Sequence, residues 1–427
     1  MSDKQFKITN NPSFYGFLIS NIISTFGDGL RVTILPLVIL DITKYPHLMG
    51  LTYTLSYVVF IIATPFSGFI VDKIKKKSSL IISDISRGIL IGSVPLILIF
   101  LPSFSVIWII IVFVGITIGE TIFRPAALSI IPELIEEKSI DRTNALLQSS
   151  KKVSSMTGMI CGGLLYSFLK FSSVLYIDAI SFFISAFIVM FSLRFDEKSY
   201  LKKEEKAEVS FKSFINDTTV VLNFIKSSKL IMVLLISGII MNFFSSPIAI
   251  FMPIFSKYSF SLAGTSYGIL NAFQSLGLIV AGSMLFFRKS KLNRKLLFSS
   301  GISGEGLCMF ILGLVTPLLL KKNEFSALAI SSITMFLMGI SYAILNIPVD
   351  GWFQSHVPKN LRGKVFSLKD MILTIPMPVA FIIFGYLLES INVYSLLIFI
   401  GLMTIIVGLT TYVTLKPKAP SAELEKF

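Results

Sequence analysis

The sequence predicts an all-α membrane protein of about twelve transmembrane helices in two pseudo-symmetric six-helix halves. Three observations carry this. First, 54% of the 427 residues are apolar and only 15% are charged, where soluble chains carry about 25% charged residues. Soluble cores stop growing beyond about 250–300 residues, so one core cannot hide such an excess. Second, about twelve apolar stretches approach the ~20 residues a spanning helix needs. Third, basic residues collect on alternate sides of those stretches.

The first stretch, 13–40, follows the polar segment Met1 to Asn11, which has no signal-peptide cleavage pattern, so it is expected to stay as an anchor. Lys44-Tyr45-Pro46 ends it. The second, 48–71, runs into four lysines between Lys73 and Lys77. The third, 79–101, stops at Pro102-Ser103, and the fourth, 105–131, at the polar run Glu136 to Arg142. The fifth, 153–170, is short, and the sixth spans 173–193. Next comes the polar segment Arg194 to Lys229. Its Lys202-Lys203-Glu204-Glu205-Lys206 reads as solvated linker, while Phe211, Phe214, Ile215, Leu222 and Ile225 have the spacing of a helix lying on a membrane face. The second set covers 230–255, 264–287, 296–320, 325–353, 366–388 and 391–414, with Lys321-Lys322-Asn323 as its sharpest break. The expected domains are therefore 1–193, 194–229 and 230–427.

Thirty of the 38 Lys and Arg fall on the side of the N-terminus and five on the other; Arg31, Arg87 and Arg124 lie within spans. The positive-inside rule then puts both termini in the cytoplasm and requires an even number of spans in the cell membrane. The net charge of +14 needs no nucleic acid to explain it.

No enzyme motif stands out. There is no phosphate loop of the GxxxxGK type, no HExxH and no GxSxG. Cys161 and Cys308 lie in apolar runs, and His47 and His356 at loop positions read as solvated or interfacial. No metal and no cofactor is expected. Gly301-Ile302-Ser303-Gly304-Glu305-Gly306 sits inside a span and reads as helix packing.

The halves are alike internally. Gly50 and Gly68 are 18 apart, as are Gly264 and Gly282, and a basic loop follows each pair. Arg87-Gly88 and Glu305-Gly306 sit at matching depths; Arg124 and Asp350 each precede a proline by eight residues. Such repeats are typical of secondary transporters, which bind substrate at the midplane between halves.

The segment Gly68-Phe69-Ile70-Val71-Asp72-Lys73-Ile74-Lys75-Lys76-Lys77 resembles the loop motif of the major facilitator superfamily, with Lys75 at the usual glycine. Much of the chain resembles that superfamily's drug-exporter branch, which includes macrolide efflux proteins and the enterobactin exporter. The residues are Ser24-Thr25-Phe26-Gly27-Asp28-Gly29, Asp84-Ile85-Ser86-Arg87, Gly119-Glu120-Thr121-Ile122-Phe123-Arg124-Pro125, Asn346-Ile347-Pro348 and Arg362-Gly363-Lys364-Val365. Gly158, Gly162 and Gly163 match part of the antiporter glycine motif of span five.

Charges inside a bilayer cost about 2.5–3.5 kcal/mol on the insertion scale and are functional hypotheses by default. Asp28 lies roughly 22 Å along span one at 1.5 Å per residue. With Arg31 at i+3 it is either a coupling carboxylate, or countercharge for a cation, or a self-neutralised packing pair. Glu120 joins these as a cavity candidate. Gly68, Asp72, Lys73, Lys76 and Lys77, with Asp84, Arg87 and Arg124, are expected at a cytoplasmic gate, and Glu305 and Asp350 oppose Arg87 and Arg124 in sign. Asp178, near the outer end of span six, reads as solvated or interfacial. Asn242, Asn271, Gln274, Asn346 and Gln354 are the neutral cavity candidates, with Phe26, Phe243, Phe244 and Phe273 beside them. The resemblance implies a proton-coupled exporter of amphipathic small molecules working by alternating access, monomeric in the lipid bilayer. A metabolite, siderophore or peptide importer or facilitator, and a non-transporting receptor on the same fold, are the alternatives.

Overall fold

The computed structural model describes residues 11–73, 75–135, 140–193, 225, 228–287, 293–356 and 362–415. The expected linker at 194–229 lies almost wholly outside the described residues, as does the tail beyond 415. Among the described residues all regular structure is helical. The first half contains α1 (Pro12–Thr43), α2 (Pro46–Lys73), α3 (Lys76–Phe100), α4 (Ser105–Leu134), α5 (Ile140–Phe168) and α6 (Phe171–Ser192). The second contains α7 (Lys229–Ser245), α8 (Ile248–Ser259), α9 (Ala263–Phe287), α10 (Arg294–Leu320), α11 (Glu324–His356), α12 (Arg362–Thr374), α13 (Pro376–Ser390) and α14 (Val393–Thr414).

Twelve spans follow, because α7 with α8 and α12 with α13 each form one broken span. The breaks have a local cause. Pro247 in one case, and Pro376 and Pro378 in the other, lack the N–H that would continue the helical ladder. Among the described residues, five helices start at side-chain caps: Asn11, Ser228, Asn293, Asn323 and Asn392 each accept from a backbone N–H of the first turn. Eleven spans are long and apolar enough to cross a membrane. The twelfth, α5, carries Asp141, Arg142, Lys151 and Lys152 and starts well before the apolar stretch at 153.

Each half repeats one packing scheme. In the first, α1 packs on α5 and α6, α3 on α4 and α6, and α2 on α4. In the second, α7 packs on α12/α13 and α14, α10 on α11 and α14, and α9 on α11. Two long contacts join the halves, α5 with α9 and α2 with α13, and they are counterparts under the repeat.

The two ends of the bundle differ. At the end away from Pro12, one apolar core runs through both halves, from Leu30–Leu40, Met49 and Val174 to Ile250–Phe255, Phe381, Phe384 and Leu397. At the end that carries Pro12 there are two separate clusters. One, around Phe14, Phe17, Ile130 and Val189, belongs to the first half; the other, around Ile231, Phe298, Leu345 and Val365, belongs to the second. The bundle is thus sealed at the far end and parted at the N-terminal end.

Candidate functional site

Two glycine crossings seal the far end. Gly163 of α5 meets Gly264 and Gly268 of α9, where a Cβ on Gly163 would stand 2.9 Å from Gly268 Cα. Gly50 of α2 meets Phe381 and Gly385 of α13, with 3.3 Å from an added Cβ to Gly385 Cα. Small residues let the backbones approach this closely. Gly158 and Gly162 instead face α1, at Gly29 and Leu30, so one glycine-rich helix serves both an internal and a cross-half contact. Gly282, the repeat counterpart of Gly68, faces open space.

Polar contacts rim the seal. Asp41 of α1 accepts from Tyr166 and from Lys257 of the second half, beside a cavity of about 210 Å³ lined by Ser167, Leu262 and Gly264. Thr265 donates to Ser167 Oγ at 2.7 Å. His47, expected in a loop, lies in the first turn of α2; it pairs with Glu389 and stacks on Tyr386 at 4.9 Å. Exposed ion pairs are worth about 0–1 kcal/mol, so backbone and apolar contacts dominate the closure. His47→Ala is accordingly expected to shift the closed-to-open ratio by less than about fivefold, measured as a spin-label distance across the far mouth.

The charges of the first half lie beneath this seal. Arg31 Nη2 donates to Asp28 Oδ1 at 2.5 Å, and Arg31 Nη1 lies 3.7 Å from Asp178 Oδ2. The Asp28 side chain is 30% exposed, whereas Asp178 is completely buried. The solvated reading of Asp178 is therefore corrected. Gly27 has no Cβ to keep α6 away: one there would stand 2.5 Å from Asp178 Oδ1. Neither carboxylate oxygen of Asp178 has a hydrogen-bond donor.

Asp84 and Arg87 pair with each other, as the i, i+3 spacing predicts, but inside the half. Ser185 Oγ donates to the second Asp84 oxygen at 2.6 Å, and the Arg87 guanidinium lies over the rings of Phe123 and Phe182. Both side chains are buried, whereas Glu120 and Arg124 of α4 are exposed toward the parted end. Asp84 and Arg87 form a closed pair. Lys151 of α5, assigned to a loop by its sequence context, sits within electrostatic reach of Asp28, Glu120 and Arg124.

Two lysines of the loop motif make contacts within the first half. Lys76 donates to Glu133 at 2.7 Å and Lys77 to the Leu193 carbonyl at 2.8 Å, tying α3 to α4 and to the end of α6. Glu305 is buried in the second half, on the α10 face that meets α14 at Gly306 and Gly401. Asn242 donates to the Leu373 carbonyl at 2.9 Å beside the break between α12 and α13. Asn271 and Asn346 each donate to a carbonyl of their own helix, Tyr267 and Tyr342. Gln274 is half-buried on α9, with its carbonyl against Gly339 of α11. The side chains of Asp72, Lys73, Asp350 and Gln354, and the surroundings of Gly68, lie outside the described residues.

Sequence and fold comparisons agree with this architecture. The chain is 22% identical over 361 residues to macrolide efflux protein A of Streptococcus pyogenes, covering 84% of this chain and 85% of the relative. It is 26% identical over 417 residues to YfiS, an uncharacterized MFS-type transporter of Bacillus subtilis, covering 95% and 93%. The fold is similar to the nucleoside transporter NupG (TM-score 0.75, 12% identity, 96% of this chain and 100% of that one). It is also similar to a D-xylose–proton symporter (TM-score 0.71, 12% identity, 93% and 96%). At such identities the structures speak to the fold alone. The family description "Major Facilitator Superfamily" matches residues 17–377, and with that span the chain belongs to this superfamily of transporters.

Proposed function

We propose that the chain is a secondary exporter that trades protons for an amphipathic, cationic small molecule by alternating access. It would work in the cell membrane with both termini in the cytoplasm. The observation that carries the reading is Asp28: a carboxylate midway along α1, partly exposed below a sealed far mouth, with its guanidinium partner already in contact. A carboxylate at that depth is expensive even when paired, and such groups mark substrate and proton pathways by default. The wall around it mixes charge with apolar surface, in Glu120, Lys151 and Phe26, which suits a ligand that is itself amphipathic. The similarity to macrolide efflux protein A supports the outward direction.

Alternating access then has a simple form. With the termini cytoplasmic, the parted end faces the cytoplasm and the cavity loads from inside. Closing that end merges the two separate apolar clusters, while the far core divides between the halves. The test is transport in everted vesicles, with lipophilic cations, macrolides and siderophores offered across a range of pH. The expected result is uptake that rises with an imposed proton gradient, together with substrate-dependent proton release. Gradient-independent equilibration would make the chain a facilitator, and transport in the opposite sense an importer.

A further inference from the structure

We infer that Asp178 is a proton-binding site, linked through Arg31 to Asp28, so that one guanidinium is shared by two carboxylates and one proton fills the remaining charge. The inference rests on the exporter reading only for the identity of the cation that competes with that proton.

The unit holds two carboxylates, the partly exposed Asp28 and the buried Asp178, and one guanidinium, Arg31. It is one positive charge short. Arg31 hydrogen-bonds Asp28, leaving Asp178 at ion-pair range with both oxygens unbonded and no exposure. An ionised carboxylate without donors in an apolar site costs so much that such groups take up a proton instead. Asp84 provides the contrast on the neighbouring helix. Equally buried, it has Arg87 on one oxygen and Ser185 on the other, so it is balanced without a proton.

The charged groups that face Asp178 are few. From α1 they are Asp28 and Arg31; from α3 they are Arg87 and, bonded to it, Asp84. Asp178 is the single charged residue of α6, and Lys151 of α5 is set toward Asp28. Arg87 is engaged by Asp84 and held over Phe182, so Arg31 is the cation able to move. Phe182 lies beneath both guanidiniums, 5.4 Å from that of Arg31 and 4.6 Å from that of Arg87. It gives Arg31 a flat apolar face along which to turn from one carboxylate to the other.

Arg31 turns from Asp28 to Asp178. The O–H bond on Asp178 breaks, and an O–H bond on Asp28 forms, so the unit keeps its charge. From Asp28 the proton reaches water in the open cavity. When a monocation occupies Asp28, it supplies the missing positive charge and the proton is released instead. The exchange is then one proton for one monocation and carries no net charge.

The test is infrared difference spectroscopy of the full chain in lipid nanodiscs at neutral pH, with no substrate present. Wild type is expected to show the carbonyl band of a protonated carboxylic acid, shifted in heavy water, that is missing from Asp178→Asn. Asp28→Asn is expected to lose the same band, because the freed Arg31 settles on Asp178 and ionises it. Should Asp178→Asn fail to fold, Asp178→Glu carries the assignment by displacing the band. A band unchanged in Asp178→Asn or Asp178→Glu, or absent from wild type, overturns the proton site. A band retained in Asp28→Asn overturns the link through Arg31. Because no substrate is used, failure of the vesicle experiment and failure here are separate results.

Discussion

Asp28→Asn is expected to abolish substrate-dependent proton movement. In that variant Arg31 has a single carboxylate left to pair with, Asp178, 3.7 Å away in the native structure. The unit becomes electrically complete, with no deficit for a proton or a cation to fill. Removing one partner of a desolvated charge pair costs about 2–5 kcal/mol; Asp28 is 30% exposed, so the loss falls near the low end, roughly thirtyfold in affinity for a cationic ligand. The variant should still fold, because the α1 contacts through Gly27, Gly29 and Leu30 are untouched. Two measurements check this: the binding of a lipophilic cation such as tetraphenylphosphonium to purified protein, and proton release from everted vesicles. Proton release that persists at the wild-type rate would exclude Asp28 as the exchange site. Asp84→Asn, in contrast, removes a group with no access to the cavity, so its effect should appear as lost stability rather than lost ligand affinity.

Gly163→Val is expected to shift the conformational balance without unfolding the halves. A side chain there meets the backbone of Gly264 and Gly268, and backbone cannot swing aside as a long side chain can. Overpacking of this kind costs about 1–3 kcal/mol, and all of it falls on the state with the far end closed. The ratio of closed to open should fall by about fivefold to somewhat over a hundredfold. Spin labels on Lys170 and Lys321, exposed on opposite halves at the far end, should move apart. Gly158→Val is the control. Gly158 packs on Gly29 within the first half, so it should lower the melting temperature and leave the label distance alone. If both variants act alike, the crossing at Gly163 is not specific to the closed state.

Most of the helical layout was legible because lipid imposes a length and a composition on every span. The two breaks were not predicted as breaks, although Pro247, Pro376 and Pro378 announce them, since a proline within a span bends some helices and divides others. The pairings Asp28–Arg31 and Asp84–Arg87 followed from i, i+3 spacing. What spacing could not show is the third partner of each. Ser185 lies about a hundred residues from Asp84 in sequence, and Asp178 reaches Arg31 because Gly27, on another helix, leaves room. The burial of Asp178 is thus a property of α1 as much as of α6. The position of Lys151 failed for a related reason: α5 begins at Ile140, in polar sequence that resembles a loop, and its start packs on α1, where Ser154 donates to the Ile22 carbonyl. Gly163 was legible as part of a small-residue face, but its partner on the other half was not.

That polar beginning of α5 has a consequence for how the protein enters the membrane. A polar segment gains its place from the surfaces it meets, and for the start of α5 the neighbour is α1: Ser154 is buried and donates to the Ile22 carbonyl at 2.6 Å. When α5 leaves the ribosome, α1 is already in the bilayer, but α9 has not been made. During synthesis, then, α5 has half of its final surroundings. Its companion α6, among the more apolar spans, follows after two residues, Leu169 and Lys170. The pair is suited to entering as a hairpin, with α6 as the membrane anchor and α5 drawn in against α1. Gly158 and Gly162, which seat α5 on α1, would then set the order in which the first half is assembled, and Gly163, one residue on, would wait for the second half.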